Sequence, residues 1–253
     1  MRQKKYICQN YMEVEAFHIS DRIKPFRRSK KIKESTPAQR NLNNKKAQRF
    51  FVRLVHLNFS FKDLYVDLTY SKENIPGTRE EIMRDVRNYI SRLRRWRERH
   101  GLPPLKYIYV ISNCDQNGNK VRYHVHMIIN DMDRDIAEQK WNMGYINTER
   151  LQLNEYGVEG KSLYMMRQTK GDRSWGCSLG LKKPEAIVSD KKITRSIARK
   201  IERNPEDREF FEKMYPGWTF TDCIVHYSED CDSEDSNKYL NGVRFLIRMR
   251  RYK

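Results

Sequence analysis

Two histidines separated by one apolar residue, His124 and His126, are the side chains of this sequence best placed to act together. The surrounding residues, Tyr123 to Ile129, are rich in apolar and β-branched types and predict a strand. Residues i and i+2 of a strand point to the same face, so both imidazoles project together while Val125 and Met127 face the other side. Such a pair can bind one divalent cation, or it can simply be two polar residues on a solvated face.

The phenol of Tyr164 is a second group that can do chemistry, because Ser162 to Thr169 has the pattern of a helix of about two turns. A phenol with a reference pKa of about 10 is a poor nucleophile unless a metal polarises the target phosphate and a cation favours phenolate. Arg167, at i+3, and Lys170 can neutralise phosphate charge. The alternatives are a core aromatic residue at 164, or Tyr156 as the reactive tyrosine.

The net charge of +18 favours a polyanionic partner, either nucleic acid or an anionic membrane surface. No run approaches the ~20 apolar residues of a membrane-spanning helix, and the first residues lack the apolar stretch of a signal peptide. Nucleic acid in a reducing compartment is therefore the favoured interpretation. The five cysteines include no CxxC pair and are odd in number, which argues against a disulfide framework and against a zinc finger.

Basic residues are concentrated in two segments that we predict to contact phosphates. The first is a leader, residues 1–50, which we interpret as a partly flexible arm, although a solvated charge run is an equal alternative. The second is the irregular basic segment from Gly171 to Pro184. The candidate DNA-binding residues are Arg27, Arg28, Lys30, Lys31, Lys182 and Lys183.

Hydrophobic periodicity predicts an α+β fold in which the histidine strand belongs to a central antiparallel β-sheet flanked by helices. Thr78 and Glu81 form a capping-box pattern at the start of the clearest helix. The predicted organisation is a leader (1–50), a core domain (51–188) and a C-terminal helical and strand extension that packs on the core (189–253). Further predicted strands are 64–70, 106–111, about 144–151 and 219–227, and further predicted helices are 133–141 and two within 190–215.

The order of these motifs resembles the HUH superfamily of rolling-circle replication initiators, especially those of filamentous and small single-stranded phages and related plasmids. The similarity extends over roughly residues 64–184. Its pieces are Asp67-Leu68-Thr69-Tyr70, a strand leading to His124-Val125-His126, Trp141-Asn142-Met143-Gly144, Leu163-Tyr164 with a basic residue at i+3, and the segment from Ser178 to Pro184.

The resemblance implies a sheet related to the RRM-like fold, with Mg²⁺ or Mn²⁺ held by His124 and His126 and with Tyr164 as the nucleophile. It implies a site-specific endonuclease and strand transferase that nicks single-stranded DNA at an origin, leaving a 5′-phosphotyrosine and a free 3′-OH. The expected location is the bacterial cytoplasm, without a membrane or small-molecule partner. Since the sequence has no GxxxxGK[ST] motif, we expect a host helicase and polymerase as further partners.

Two positions depart from the family pattern. The family usually supplies a third metal ligand, often Glu, before the histidine strand, whereas this chain offers Asn113, Asp115 or a water molecule. Arg167 replaces the usual Lys at i+3 and keeps the charge. Alternatives to the initiator are a relaxase, a single-tyrosine transposase and, in a different class, a non-catalytic single-stranded nucleic-acid-binding protein with an RRM-like sheet.

Overall fold

Strands and helices alternate along the chain, and the α+β prediction is confirmed. The computed structural model describes residues 1–19, 37–115, 117, 119–167, 175–227 and 242–251, without the side chains of 37–39 and 167. The chain divides into a terminal unit, Met1–Arg53 with Lys183–Lys253, and a central unit, Leu54–Lys182. Each unit contains one five-stranded antiparallel sheet.

The described residues form ten strands and six α-helices. The strands are β1 (Arg2–Cys8), β2 (Tyr11–Phe17), β3 (Leu64–Thr69), β4 (Tyr107–Cys114), β5 (Lys120–Ile129), β6 (Ile146–Arg150), β7 (Trp175–Cys177), β8 (Ile187–Ser189), β9 (Thr219–Tyr227) and β10 (Val243–Arg250). The helices are α1 (Pro37–Asn58), α2 (Arg79–Arg99), α3 (Arg134–Gln139), α4 (Glu159–Arg167), α5 (Arg195–Arg203) and α6 (Arg208–Met214).

The sheet of the terminal unit has the order β8-β1-β2-β10-β9, so both ends of the chain contribute strands to it. The prediction of an irregular arm over residues 1–50 is wrong for β1, β2 and the first part of α1. Its physical cause is the alternation in β2: Met12, Val14 and Ala16 are buried in the core of this unit, while Glu13 on the other face pairs with Arg53. This ion pair lets the sheet carry charges that made the segment look solvated.

The sheet of the central unit has the order β6-β3-β5-β4-β7, and the predicted hairpin of β4 and β5 is confirmed. Val125 and Met127 of β5 lie in a hydrophobic core with residues of α2 such as Val86. The opposite face of β5 therefore carries the two histidines, as the alternation predicted. In the register of the sheet, Asp67 of β3 lies directly beside His126.

Helix α2 begins where the sequence predicted. The side chain of Thr78 accepts a hydrogen bond from the Glu81 backbone N–H at 3.3 Å, and the Glu81 carboxylate accepts one from the Thr78 backbone N–H. This capping box satisfies N–H groups that the first turn of the helix leaves without partners. The helix end positions the apolar side of α2 against the sheet.

The segment from Trp141 to Tyr145 is tied to the end of β3. The Trp141 indole N–H donates to the Thr69 carbonyl at 2.9 Å, and the Thr69 and Ser71 N–H groups donate to the carbonyls of Tyr145 and Met143. Gly144 permits this close approach, because a Cβ there would lie only 2.6 Å from the Thr69 carbonyl oxygen and would also clash with Ser71. The Trp-x-x-Gly pattern therefore holds the end of the strand that carries Asp67.

We expect Gly144→Ala to lower the free energy of unfolding of the protein by about 1–3 kcal/mol, because backbone on both sides must move to admit the methyl group. Urea denaturation followed by circular dichroism measures the change. Gly160→Ala is the matched control, since a Cβ at residue 160 meets no atom within 4 Å and alanine favours the helix. Equal stability of the two variants would contradict the role given to Gly144.

Candidate active site

His124 and His126 lie side by side on β5, with ring centroids 4.7 Å apart and ring planes at 78°. His126 is buried, with 3% of its surface exposed, and His124 is half-buried. The rigid central strand thus holds both imidazoles on one face, at a separation that lets them share a ligand. The structure brings the predicted pair together in the way that the i, i+2 spacing indicated.

Hydrogen bonds at both Nδ1 atoms define which ring nitrogen each histidine presents. His124 Nδ1 lies 3.0 Å from the Arg122 carbonyl, which can only accept, so this nitrogen carries the proton. His126 Nδ1 donates in the same way to the Asp67 carboxylate. In both neutral rings the lone pair therefore resides on Nε2. A carboxylate or carbonyl behind the imidazole is the usual arrangement for a metal-ligating histidine.

Asp67 and Tyr65, alternate residues of β3, form the support behind His126. The Tyr65 hydroxyl lies 2.7 Å from His126 Nδ1 and also bonds to Asp67. Burial raises the pKa of Asp67, but the hydrogen bond and charge of His126 outweigh it, with help from Tyr65, and leave the pKa below its usual value. Burial and the Asp67 carboxylate raise the pKa of Tyr65, so it stays a neutral phenol. Neither residue was a sequence-based candidate for the site.

Tyr164 of α4 lies against the histidine pair. Its ring centroid is 5.3 Å from that of His126, with the planes at 63°, and 40% of its surface is exposed. Met165 and Met166 are buried, so they anchor the helix and leave the neighbouring Tyr164 at the surface. The predicted helix is present but begins at Glu159, earlier than predicted. Arg167 is the last residue of α4, its side chain lies outside the described residues, and Lys170 lies outside them altogether.

Lys161, one turn before Tyr164, connects α4 to the sheet. Its ammonium pairs with Glu149 of β6 and lies 4.1 Å from the ring centroid of Tyr65 and 6.0 Å from that of Tyr164. These contacts hold the helix that carries the phenol beside the strands that carry Asp67 and the histidines. Sequence reasoning missed Lys161 because an i−3 lysine becomes informative only when β6 and β3 are known to face it.

These side chains surround an open cleft of about 410 Å³. Asp115 reaches it from the end of β4, where its carboxylate also accepts hydrogen bonds from the N–H groups of Asn117 and Asn119 at 2.9 and 2.8 Å. Asn113, the other candidate third ligand, is not among the residues that line the cleft, and its side-chain oxygen lies 3.4 Å from the Cys114 thiol. The lining residues are Asp67, Thr69, Asp115, Val121, His124, His126 and Tyr164.

The predicted DNA-binding residues are not part of this cleft. Lys182 and Lys183 are exposed, and the backbone of Lys182 is held by the Asn58 side chain through two hydrogen bonds of 2.8 Å. Arg27, Arg28, Lys30 and Lys31 lie outside the described residues.

The donor set of the cleft fits a divalent cation through two imidazole Nε2 atoms, with the Asp115 carboxylate in the same cleft. Within the described ranges, no three His, Cys, Asp or Glu side chains are arranged as a complete metal site. A cation would therefore complete its coordination with water or with phosphate oxygens, as ions that act on phosphoryl groups commonly do.

Residues 63–170 match the family model of the replication-associated protein ORF2 and its phage relatives. These residues belong to that family. The matched segment contains Tyr65, Asp67, both histidines and Tyr164, and the match supports a role in the initiation of DNA replication. It is consistent with the resemblance to phage and plasmid rolling-circle initiators. No curated protein and no solved structure matches the chain at a significant level.

The replication-associated segment occupies most of the central unit, and the terminal unit lies outside the match. None of the helices in the described part of the chain is both long enough and apolar enough to cross a bilayer.

Proposed function

We propose that the protein is a metal-dependent nickase that starts rolling-circle replication by attack of Tyr164 on single-stranded DNA at an origin. The observation that carries the proposal is the shared cleft of His124, His126 and Tyr164, in which the phenol ring lies 5.3 Å from the ring of His126. A cleft of about 410 Å³ is large enough for a nucleotide-sized group. The family match supports the replication role of this chemistry.

The reaction is a phosphoryl transfer in which the phenolic oxygen of Tyr164 bonds to phosphorus as the bond from phosphorus to the 3′ oxygen breaks. The phenolic proton passes to solvent, and the departing oxygen takes up a proton to become the free 3′-OH. A bound Mg²⁺ or Mn²⁺ would polarise the phosphate. His124 and His126 would hold that ion through Nε2, and Asp67 keeps the ring of His126 in the required orientation. The phosphotyrosine conserves the energy needed for later strand rejoining.

The burial of the other tyrosines favours Tyr164 over a relaxase-like nucleophile that precedes the histidines. Tyr11, Tyr65 and Tyr70 are each at most 5% exposed, so DNA cannot reach them without rearrangement. Burial also disfavours the non-catalytic RRM-like alternative, which needs exposed aromatic residues on the sheet to stack bases. Tyr65, on the cleft side of the sheet, is instead packed beneath Lys161.

The direct test is incubation of the full chain with single-stranded oligonucleotides that tile its own replicon, in the presence of Mn²⁺, followed by a denaturing gel. The proposal expects cleavage at one site together with a protein band of reduced mobility, and expects EDTA to abolish both. Binding without an adduct across the whole set of oligonucleotides would instead establish the non-catalytic binding protein.

We expect Asp67→Asn to weaken Mn²⁺ binding by about 10–100-fold, because the loss of the carboxylate makes His126 a poorer and less well oriented ligand. Isothermal titration with Mn²⁺ in the absence of DNA measures this effect independently of cleavage. Asp133→Asn is the control, since Asp133 caps α3 away from the cleft and asparagine caps equally well. Unchanged affinity in Asp67→Asn would show that Asp67 does not act through the metal site.

A further inference from the structure

Helix α5 of the terminal unit presents an exposed basic face. Arg195, Arg199 and Arg203 recur every four residues and are all exposed. Residues 191–203 contain six basic residues and one acidic residue, Glu202. We define the α5 basic face by its six exposed members, Lys191, Lys192, Arg195, Arg199, Lys200 and Arg203.

The opposite side of α5 fixes the direction of this basic face. Ala198 and Ile201 are fully buried in the core of the terminal unit, where Ile197 is partly buried beside them. Because the apolar side packs on the sheet, the basic side must face outward. The helix therefore has no exposed apolar stripe of the kind that inserts into a membrane surface.

The arginines of the α5 basic face do not serve the helix itself. Like charges four residues apart destabilise a helix. Within the described residues, no ion pair compensates Arg199 or Arg203. Helix α6 of the same unit is different, because it balances two basic with two acidic residues and Arg208 pairs with Glu212 at 2.8 Å. The excess of positive charge is thus a property of α5 and points to an external anion.

We propose that the α5 basic face binds the sugar-phosphate backbone of duplex DNA, an inference that rests on the proposed replication function. Residues 191–203 include no aromatic side chain, so the surface lacks the stacking groups that hold single strands. Arginines four residues apart are about 6 Å apart along the helix, which suits contacts to successive phosphates of one strand. The terminal unit would then hold double-stranded DNA of the origin without reading its sequence.

The test compares two double variants of the full chain that remove the same charge. Arg199→Ser with Arg203→Ser alters the α5 basic face, and Arg208→Ser with Lys213→Ser alters α6 as the control. Binding to a duplex of about 30 base pairs is measured by fluorescence anisotropy between about 50 and 200 mM salt. We expect the α5 variant to bind about tenfold more weakly and its plot of log K against log salt to be less steep by about 1.8, while the control follows the unaltered protein.

Equal slopes for the α5 variant and the control would overturn the inference, as would a loss of binding to anionic vesicles with duplex binding unchanged. Cleavage of a single-stranded oligonucleotide by the same preparations separates this inference from the proposed function. If the α5 variant cleaves single strands normally but binds duplex poorly, both proposals stand. If the unaltered protein never cleaves, the proposed function fails whatever the slopes show.

Discussion

Tyr164→Phe is expected to form no covalent adduct with DNA and to leave the oligonucleotide uncut. The substitution removes the attacking oxygen and keeps the ring that lies 5.3 Å from His126, so the cleft and its metal site should be unchanged. Phenylalanine also fits the surface position, where 40% of the tyrosine is exposed. A denaturing gel with Mn²⁺ measures the adduct, and anisotropy on the same oligonucleotide should show unchanged DNA affinity.

Tyr156→Phe is the matched control for this prediction. Tyr156 is the nearest tyrosine in sequence, but its backbone carbonyl is bonded to His56 Nε2 at 3.2 Å and it does not line the cleft. We expect this variant to form adduct like the unaltered protein. An adduct that persists in Tyr164→Phe and disappears in Tyr156→Phe would reassign the nucleophile.

His124→Ala and His126→Ala are each expected to abolish cleavage while DNA binding survives. Losing the metal removes several kcal/mol of stabilisation from the transition state, which corresponds to a loss of about 10²–10⁴ in rate. Affinity should persist because lysine and arginine contacts to phosphates supply most of it. Single-turnover cleavage and anisotropy, run on the same samples, measure the two properties separately.

His124→Ala is the cleaner of the two variants, because His124 is half-buried whereas His126 is buried and bonded to Asp67. His100→Ala provides the control, since His100 is exposed at the end of α2 and stacks on Trp96. Loss of cleavage and of DNA binding together, in a His124→Ala protein that melts normally, would argue against this division of labour.

Local patterns predicted the central unit well. The i, i+2 spacing of the histidines, the capping box of Thr78 and the apolar periodicity of α2 are all encoded within one strand or one turn of helix. The helix of Tyr164 was recognised from its local pattern too. The same locality explains why strand β9 and the break between α5 and α6 were predicted at the correct residues.

Contacts between distant strands were not predictable in this way. Asp67 reaches His126 only because β3 pairs with β5 in one particular register, which the sequence alone does not specify. The terminal unit was missed for the same reason, since β2 pairs with β10 more than 200 residues later along the chain. A strand pattern with charged residues on one face looks like a solvated arm until its partner, here Arg53, is known.

The most direct test of the central claim is to locate the DNA on the protein by mass spectrometry. After reaction with Mn²⁺, the adduct is digested with nuclease and trypsin, which should release the peptide Ser162–Arg167 with Tyr164 as its single tyrosine. The account predicts that this peptide carries a nucleotide through a phosphotyrosine, and that it is unmodified in His124→Ala. A nucleotide on any other tyrosine, or an adduct at Tyr164 that forms equally well without the histidines, would contradict it.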